Sequence, residues 1–232
     1  MSRAVRRPAP KKTAPVPVVK GTWGGRRAGA GRKPNGLSAG VSHRKRAKLD
    51  PASPVHVTLR VLKGVPDLRT RARAAIVIDA VRLATEQHGM RVVHFSIQSG
   101  ELQFIVEIDR HRALADGIKS LAISIARRLN GHLEREGTVF LDRYEAKPLR
   151  TAEEVRNALV QLYMSHGKPQ RTPFDPVSSA PYFDGFIKAV PPATDNDDAP
   201  VSPAETRLLR VAWRRLGLLT PKDAPAIRPR RR

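Results

Sequence analysis

The chain lacks cysteine, has few aromatic residues and contains no long apolar run, and each absence excludes a class of protein. Without cysteine among its 232 residues there is no disulfide, thiolate nucleophile or cysteine zinc site, which fits a reducing compartment. No apolar stretch approaches the ~18 residues of a membrane-spanning helix, and the basic, proline-rich start lacks the apolar core of a signal peptide. We therefore expect a cytoplasmic protein with no membrane partner.

Acidic residues are also scarce, and the charge is unevenly distributed. The chain has 43 Lys and Arg against 21 Asp and Glu, a formal net charge of +22. Residues 1–54 carry 14 basic and 1 acidic residue (+13), residues 55–166 carry 17 and 13 (+4), and residues 167–232 carry 12 and 7 (+5). An excess of this size indicates a polyanionic partner, and nucleic acid before an anionic membrane.

The first 54 residues are rich in Pro, Gly, Lys and Arg and have almost no apolar periodicity, which predicts a disordered basic arm. Cations spaced by small residues are typical of arms that lie in the minor groove of DNA, although a generic phosphate-binding or solubilising tail has the same composition. The arm cations that we expect to neutralise phosphates are Arg26, Arg27, Arg32, Lys33, Arg44, Lys45 and Arg46.

Apolar periodicity begins at Val55 and predicts an α+β domain over residues 55–166. Alternation predicts strands over 55–61, 91–108 (as a hairpin) and 138–149, while three- and four-residue spacing predicts helices over 69–87, 114–129 and from Thr151 to about Gly167. Thr151, followed by two glutamates in the first turn, is a typical N-cap. This order predicts a ferredoxin-like (split βαβ) four-stranded antiparallel sheet with helices.

The rest of the chain is less regular. Residues 167–204 are rich in proline and predict a linker or a loosely packed wrap. Residues 205–219 predict a C-terminal amphipathic helix, and residues 220–232 form a basic tail.

Two polar residues of the predicted hairpin are candidate metal ligands. Because strand side chains alternate, Glu101 and Gln103 project from one face and Leu102 and Phe104 from the other. Glu and Gln offer oxygen ligands to a hard ion such as Mg²⁺, but one carboxylate is a poor cage for it. The alternative is that both are solvated residues of the sheet surface. Whether His94 lies on the same face depends on the pairing register.

Several segments in one order resemble the REP-associated tyrosine transposases, which belong to the single-tyrosine HUH transposase superfamily. They include Trp-Gly-Gly-Arg-Arg at 23–27, the hairpin at 92–107, residues 139–151 with Asp-Arg-Tyr at 142–144, and residues 154–160 with Asn-Ala-Leu-Val at 157–160. Further similar segments are residues 29–34, 117–133, 178–185 and 208–215, so the resemblance covers about residues 22–219. Several motifs in order are far more specific than one alone.

The resemblance implies both a ligand and a reaction. Proteins of that family bind DNA hairpins and cut the adjacent single strand through a tyrosine that becomes linked to a 5′ phosphate. Two histidines on a central strand hold Mg²⁺ or Mn²⁺, which polarises the scissile phosphate. The resemblance also implies a positioning or DNA-contact role for Arg143 and Tyr144, and homodimers in some relatives.

The chain departs from the family at the positions that cleave DNA. Glu101 and Gln103 occupy the positions of the two histidines, and Gln161 occupies that of the nucleophilic tyrosine. Tyr163 lies two residues later, roughly 200° further around the helix, where it is either a core aromatic or a displaced nucleophile. Two alternatives therefore stay open: the protein binds Mg²⁺ or Mn²⁺, or it has no cofactor.

Three functional hypotheses follow. The first is a transposase-family protein that recognises hairpin or single-stranded DNA and has lost, or nearly lost, strand cleavage. The second is an active transposase with a rebuilt site, using Glu101 and Gln103 for the metal and Tyr163 or Tyr144 as nucleophile. The third is a basic RNA-binding protein, against which the 5% aromatic content weighs, because little is available to stack on bases.

Overall fold

The computed structural model describes residues 48–141, 143–164, 175, 177–187, 199–220 and 222–223. The predicted basic arm, with all seven of its phosphate-binding candidates, lies outside these residues, as does most of the predicted basic tail. None of the described helices combines the length and apolar composition needed to cross a bilayer.

A four-stranded antiparallel sheet forms the centre of the domain. Its strands are β1 (Val55–Arg60), β2 (Met90–Ile97), β3 (Glu101–Ile108) and β4 (Glu145–Pro148), in the order β2-β3-β1-β4. The helices are α1 (Arg71–Ala84), α2 (Ala113–His132), α3 (Ala152–Met164) and a short α4 (Arg207–Arg210). The predicted α+β, ferredoxin-like fold is confirmed by this element order and pairing.

Helices α1 and α2 cover one face of the sheet and make the first core. Val57 and Phe104, which pair directly across β1 and β3, are both buried in it together with the α2 residues Ile118 and Leu121. Each such side chain contributes about 1.5–3 kcal/mol when fully removed from water. Gly117 of α2 permits the close approach, because a Cβ there would lie 2.7 Å from the Met90 side chain.

Helix α3 and the described parts of residues 177–219 cover the opposite face and make a second core. Ile105 of β3 and Val93 of β2 are buried in it with Leu159 of α3 and Trp213. Val93 sits at an irregularity in the pairing of β2 with β3, between Val92 and His94. The sheet is therefore covered on both faces, although Glu101 and Arg60, at one end of the second face, stay partly exposed.

The free edge of β2 is covered by chain from the predicted linker or wrap. Val177 accepts a hydrogen bond at its carbonyl from the Ile97 amide (3.0 Å), and the Ser179 amide donates to the Phe95 carbonyl (3.0 Å). The buried Asp175 carboxylate accepts two hydrogen bonds from Arg69, at 2.7 and 2.8 Å. The described parts of this segment thus pack as a wrap, which closes an edge that would otherwise expose unpaired backbone groups.

Two elements differ most from their predicted extents. The strand predicted over residues 138–149 is regular only in Glu145–Pro148, and its first half forms a single bridge between Phe140 and Val61. The predicted C-terminal helix is α4, which Val211 (φ −132°) interrupts before a 3-10 turn continues over Ala212–Leu216. The predicted Thr151 N-cap is present, since its hydroxyl accepts from the Glu154 amide at 3.1 Å.

Candidate functional site

The pairing register brings the polar residues of three strands onto the second face of the sheet. Gln103 lies between Thr58 of β1 and Ser96 of β2, and Glu101 lies opposite Arg60. Because side chains alternate along a strand, His94, two residues before Ser96, shares this face with both predicted metal ligands. The register that the sequence left open is thereby resolved.

Glu101 and Gln103 bind each other. The Gln103 side-chain amide nitrogen donates to a Glu101 carboxylate oxygen, and Gln103 is 1% exposed while Glu101 is half-buried. The interpretation of Gln103 as a solvated surface residue is therefore wrong. The reason is the second layer, which covers a sheet face that the sequence analysis left open to water. The Gln103 side-chain oxygen is buried without a hydrogen-bond partner among the described residues.

These two residues do not fit a divalent-metal site. The Glu101 carboxylate is the one anionic ligand that the pair offers, and it already accepts a hydrogen bond from the Gln103 amide. Mg²⁺ requires near-octahedral oxygen coordination, to which this pair contributes a single carboxylate. No group of three or more His, Asp or Glu side chains suited to a metal occurs in the described part of the chain.

Tyr163 lies in the second core, with its hydroxyl bonded on two sides. The hydroxyl oxygen is 2.9 Å from Nδ1 of His94 and 3.0 Å from Oγ of Ser179, and the whole residue is 1% exposed. Ser179 is itself fixed to β2, since its Oγ accepts from the Phe95 amide at 2.9 Å. The hydroxyl thus contacts the pair of residues His94 and Ile105, which is adjacent in the sheet to the pair Ser96 and Gln103. Gln161, at the family's nucleophile position, is half-buried on the same helix.

Aromatic side chains enclose this hydroxyl. Tyr163 lies 5.0 Å from Phe183 and 5.5 Å from Phe186 between ring centroids, and Phe183 stacks on Trp213 at 5.6 Å. Together with His94 these residues form what we call the aromatic cluster: His94, Tyr163, Phe183, Phe186 and Trp213. Offset and edge-to-face contacts of this kind add about 0.5–1.5 kcal/mol each beyond area burial.

Burial sets the protonation of the two polar members of the aromatic cluster. Desolvation lowers the pKa of His94 to about 3, and smaller effects come from Asp184, which raises this pKa, and from Arg214, which lowers it. Desolvation raises the pKa of the Tyr163 hydroxyl, although its hydrogen bond to Ser179 acts in the opposite direction. The histidine is therefore a weak base and the phenol a weak acid, so the proton stays on the phenol at neutral pH.

Arg143 and Tyr144 lie just before β4, away from the aromatic cluster. Arg143 is exposed, while Tyr144 is half-buried and packs against the first core. Since Tyr163 belongs to the second core, the fold does not bring the two candidate tyrosines together.

Sequence reasoning missed the partners of Tyr163. His94 was named only for its strand face, and Ser179 and Phe183 only as part of a resembling motif. Two features of the sequence could have indicated them: the polar residues His94 and Ser96 at alternate positions of β2, and the Ser-Ser-Ala-Pro-Tyr-Phe segment at residues 178–183. Only the register and the wrap bring them into contact.

Comparison of the sequence with known protein families and with curated proteins finds no match. Among solved structures, the chain is similar to a REP-associated tyrosine transposase bound to a REP hairpin, at a TM-score of 0.43 and 11% identity, over 53% of this chain and 72% of that one. It is also similar to a protein assigned as a transposase from Deinococcus radiodurans, at a TM-score of 0.38 and 19% identity, over 52% and 92% of the two chains. The first belongs to the family that the sequence motifs resemble.

Proposed function

We propose that the chain is a DNA-binding protein of the transposase type that recognises hairpin or single-stranded DNA and does not cleave it. The basic excess of the chain and the ordered motifs support the DNA-binding part of this proposal. The observation that carries the loss of cleavage is the enclosure of the Tyr163 hydroxyl in the aromatic cluster.

A nucleophilic tyrosine must reach a phosphorus atom, and Tyr163 is poorly placed to do so. Its hydroxyl is at the centre of the second core, held by His94 and Ser179, with Phe183 and Phe186 against its ring. An entering phosphate would have to displace these groups and leave its own water behind, and an unpaired charge is strongly disfavoured in such surroundings.

The contact between His94 and Tyr163 is the one observation that favours an active enzyme, because a general base within 2.9 Å of a nucleophile is a common catalytic arrangement. The direction of the two pKa values argues against that use. A general base works best with a pKa near the operating pH, and burial takes His94 to about 3 and Tyr163 further from ionisation. We assign the pair a structural role.

The metal-binding half of the family's reaction lacks support as well. Glu101 and Gln103 form a hydrogen-bonded pair instead of presenting two ligands. We therefore infer that neither Mg²⁺ nor Mn²⁺ is needed for DNA binding.

Binding is tested with the full chain and two fluorescent DNA ligands at matched salt. One is a hairpin with a single-stranded flank, and the other is a random duplex of the same length. We expect tighter binding to the hairpin, with a log Kd that depends on log salt with a slope of about 0.7–0.9 per neutralised phosphate. Equal affinity for the two would reduce the protein to a generic polycation and would contradict the proposal.

RNA specificity is the separate outcome that the third hypothesis predicts. An RNA hairpin of the same sequence competes for the bound DNA hairpin in the same assay. Displacement of the DNA by a lower concentration of the RNA than of the unlabelled DNA would favour RNA as the ligand.

A further inference from the structure

We propose that three exposed arginines near the C-terminus, Arg207, Arg210 and Arg215, bind DNA phosphates. We call them the C-terminal arginine patch. This inference rests on the proposed DNA-binding function and adds a contact surface to the basic arm and to Arg143 and Tyr144.

The arginines of the patch have no acidic partner in the described part of the chain, although all three side chains are exposed. Some exposed arginines elsewhere do have one. The pairs are Arg60 with Glu145 at 2.8 Å, Arg82 with Asp79 at 3.5 Å and Arg110 with Asp109 at 3.2 Å.

Two acidic residues that adjoin or contact this segment are already paired with other arginines. Glu205 pairs with Arg91 at 2.8 Å, and Asp184 pairs with Arg214. Arg214 also lies over the Trp213 ring, 5.2 Å from its centroid, so it belongs to the packing of the second core. The three patch arginines therefore keep their full positive charge for an external anion.

The backbone that carries the patch is held at its start and in its middle. At its start, the buried Glu107 carboxylate accepts from the amides of Glu205 (2.9 Å) and Thr206 (2.8 Å) and from the Thr206 hydroxyl (2.7 Å). In its middle, Trp213 is fully buried and its indole N–H donates to the Leu209 carbonyl at 2.8 Å. A fixed backbone lowers the ordering cost of binding, which is what a preformed site needs.

Guanidinium groups are suited to phosphate because they present planar, paired donors that are always charged. Arg207 and Arg210 lie three residues apart in α4 and therefore share a helix face. Residues Leu209 and Trp213 anchor this segment in the second core, so the patch lies on the side of the sheet that also carries Glu101 and Gln103. DNA, the polyanion that the proposed function already names, is thus the ligand whose charge matches the patch.

A matched control is available on the opposite layer. Lys119, Arg127 and Arg128 of α2 are also exposed and without an acidic partner among the described residues, but α2 packs on the other face of the sheet. Changing all three to Gln removes the same charge as changing the three patch arginines to Gln.

The test measures hairpin affinity against salt concentration for the full-length protein, the patch variant (R207Q/R210Q/R215Q) and the control variant (K119Q/R127Q/R128Q). Each lost phosphate contact should reduce the slope of log Kd against log salt by about 0.9 on duplex, so the patch variant should lose about 2.7. Its affinity at about 0.1 M salt should fall more than tenfold, while the control variant should keep the wild-type slope to within about one contact. Unchanged thermal unfolding of both variants confirms that they are folded.

A patch variant with the wild-type slope, or equal losses in the two variants, would overturn this inference and leave only a generic charge effect. The proposed function fails independently, if the wild-type protein does not prefer the hairpin to the random duplex. In that case the comparison of the two variants, repeated on the duplex, still decides whether the patch contacts phosphates.

Discussion

Replacing Tyr163 by Phe should destabilise the protein without weakening its binding to DNA. The substitution keeps the ring and its contacts in the aromatic cluster and removes only the hydroxyl. Ser179 keeps its hydrogen bonds to Phe95, but Nδ1 of His94 loses its partner in a fully buried site. A lost buried hydrogen bond contributes about 1 kcal/mol, and a buried polar group left unpaired costs about 1–3 kcal/mol.

The expected loss is therefore about 2 kcal/mol of unfolding free energy, or ~4–8 °C in Tm for a domain of this size. Urea denaturation and calorimetry measure it, and hairpin affinity is measured on the same samples. Tyr182→Phe is the matched control, since Tyr182 is half-buried and its hydroxyl makes no hydrogen bond among the described residues. Its unfolding free energy should stay within about 0.5 kcal/mol of wild type.

A Tyr163→Phe protein as stable as the Tyr182→Phe control would refute the view of the hydroxyl as a structural group. A double-mutant cycle with His94→Leu adds a second check. If the two side chains interact as described, their effects are non-additive by more than about 0.5 kcal/mol, because each single change disrupts the same hydrogen bond.

Three further predictions concern stability. The folded-state pKa of His94, about 3, lies below its ordinary value of 6.5, so the unfolded chain takes up a proton first, and the free energy of unfolding falls by up to roughly 1.4 kcal/mol per pH unit as pH drops from about 6.5 towards 3. In urea titrations between pH 7 and 5, His94→Leu should remove this pH dependence. If the dependence is unchanged in that variant, it belongs to another group. Glu107→Gln should lower the free energy of unfolding by about 3 kcal/mol, because four donors converge on its buried carboxylate. Glu205→Gln, at an exposed ion pair, should lower it by less than about 1 kcal/mol, and equal denaturation midpoints for the two variants would contradict this. Gly185→Ala should lower the free energy of unfolding by about 1–3 kcal/mol, since the added Cβ would overlap the aromatic cluster, whereas the Cβ of Gly100→Ala has open space and should be tolerated. Similar Tm values for the two variants would show that the aromatic cluster can rearrange to accept the extra atom.

The sheet and its first helical layer could be predicted from local patterns. Burial of one face produces the alternating pattern of β1 and β3 and the three- and four-residue spacing of α2. These elements can therefore be recognised from the period of their apolar residues alone. The N-cap at Thr151 was predictable for the same reason, because capping is a local interaction. The shortened β4 was not, since its pairing stops at Glu145, opposite Thr58, although β1 continues to Arg60.

The second core was beyond local reasoning. Phe183 and Trp213 are thirty residues apart in sequence, and Phe183 lies in no periodic apolar segment, so nothing local indicates that they stack. The contact of His94 with Tyr163 depends in addition on a strand irregularity at Val93. Helical geometry did place Tyr163 on a different side from Gln161, but its hydrogen-bond partners come from β2 and from the wrap.

Loss of strand cleavage is tested most directly by the intact mass of the protein after incubation with DNA. The full-length chain is mixed with a hairpin carrying a single-stranded flank, with Mg²⁺, with Mn²⁺ and with a chelator, under conditions where a gel shift shows the hairpin to be bound. We predict an unchanged protein mass in all three mixtures. A metal-dependent increase equal to an oligonucleotide fragment, present in the wild type and absent in Tyr163→Phe, would contradict the proposed function.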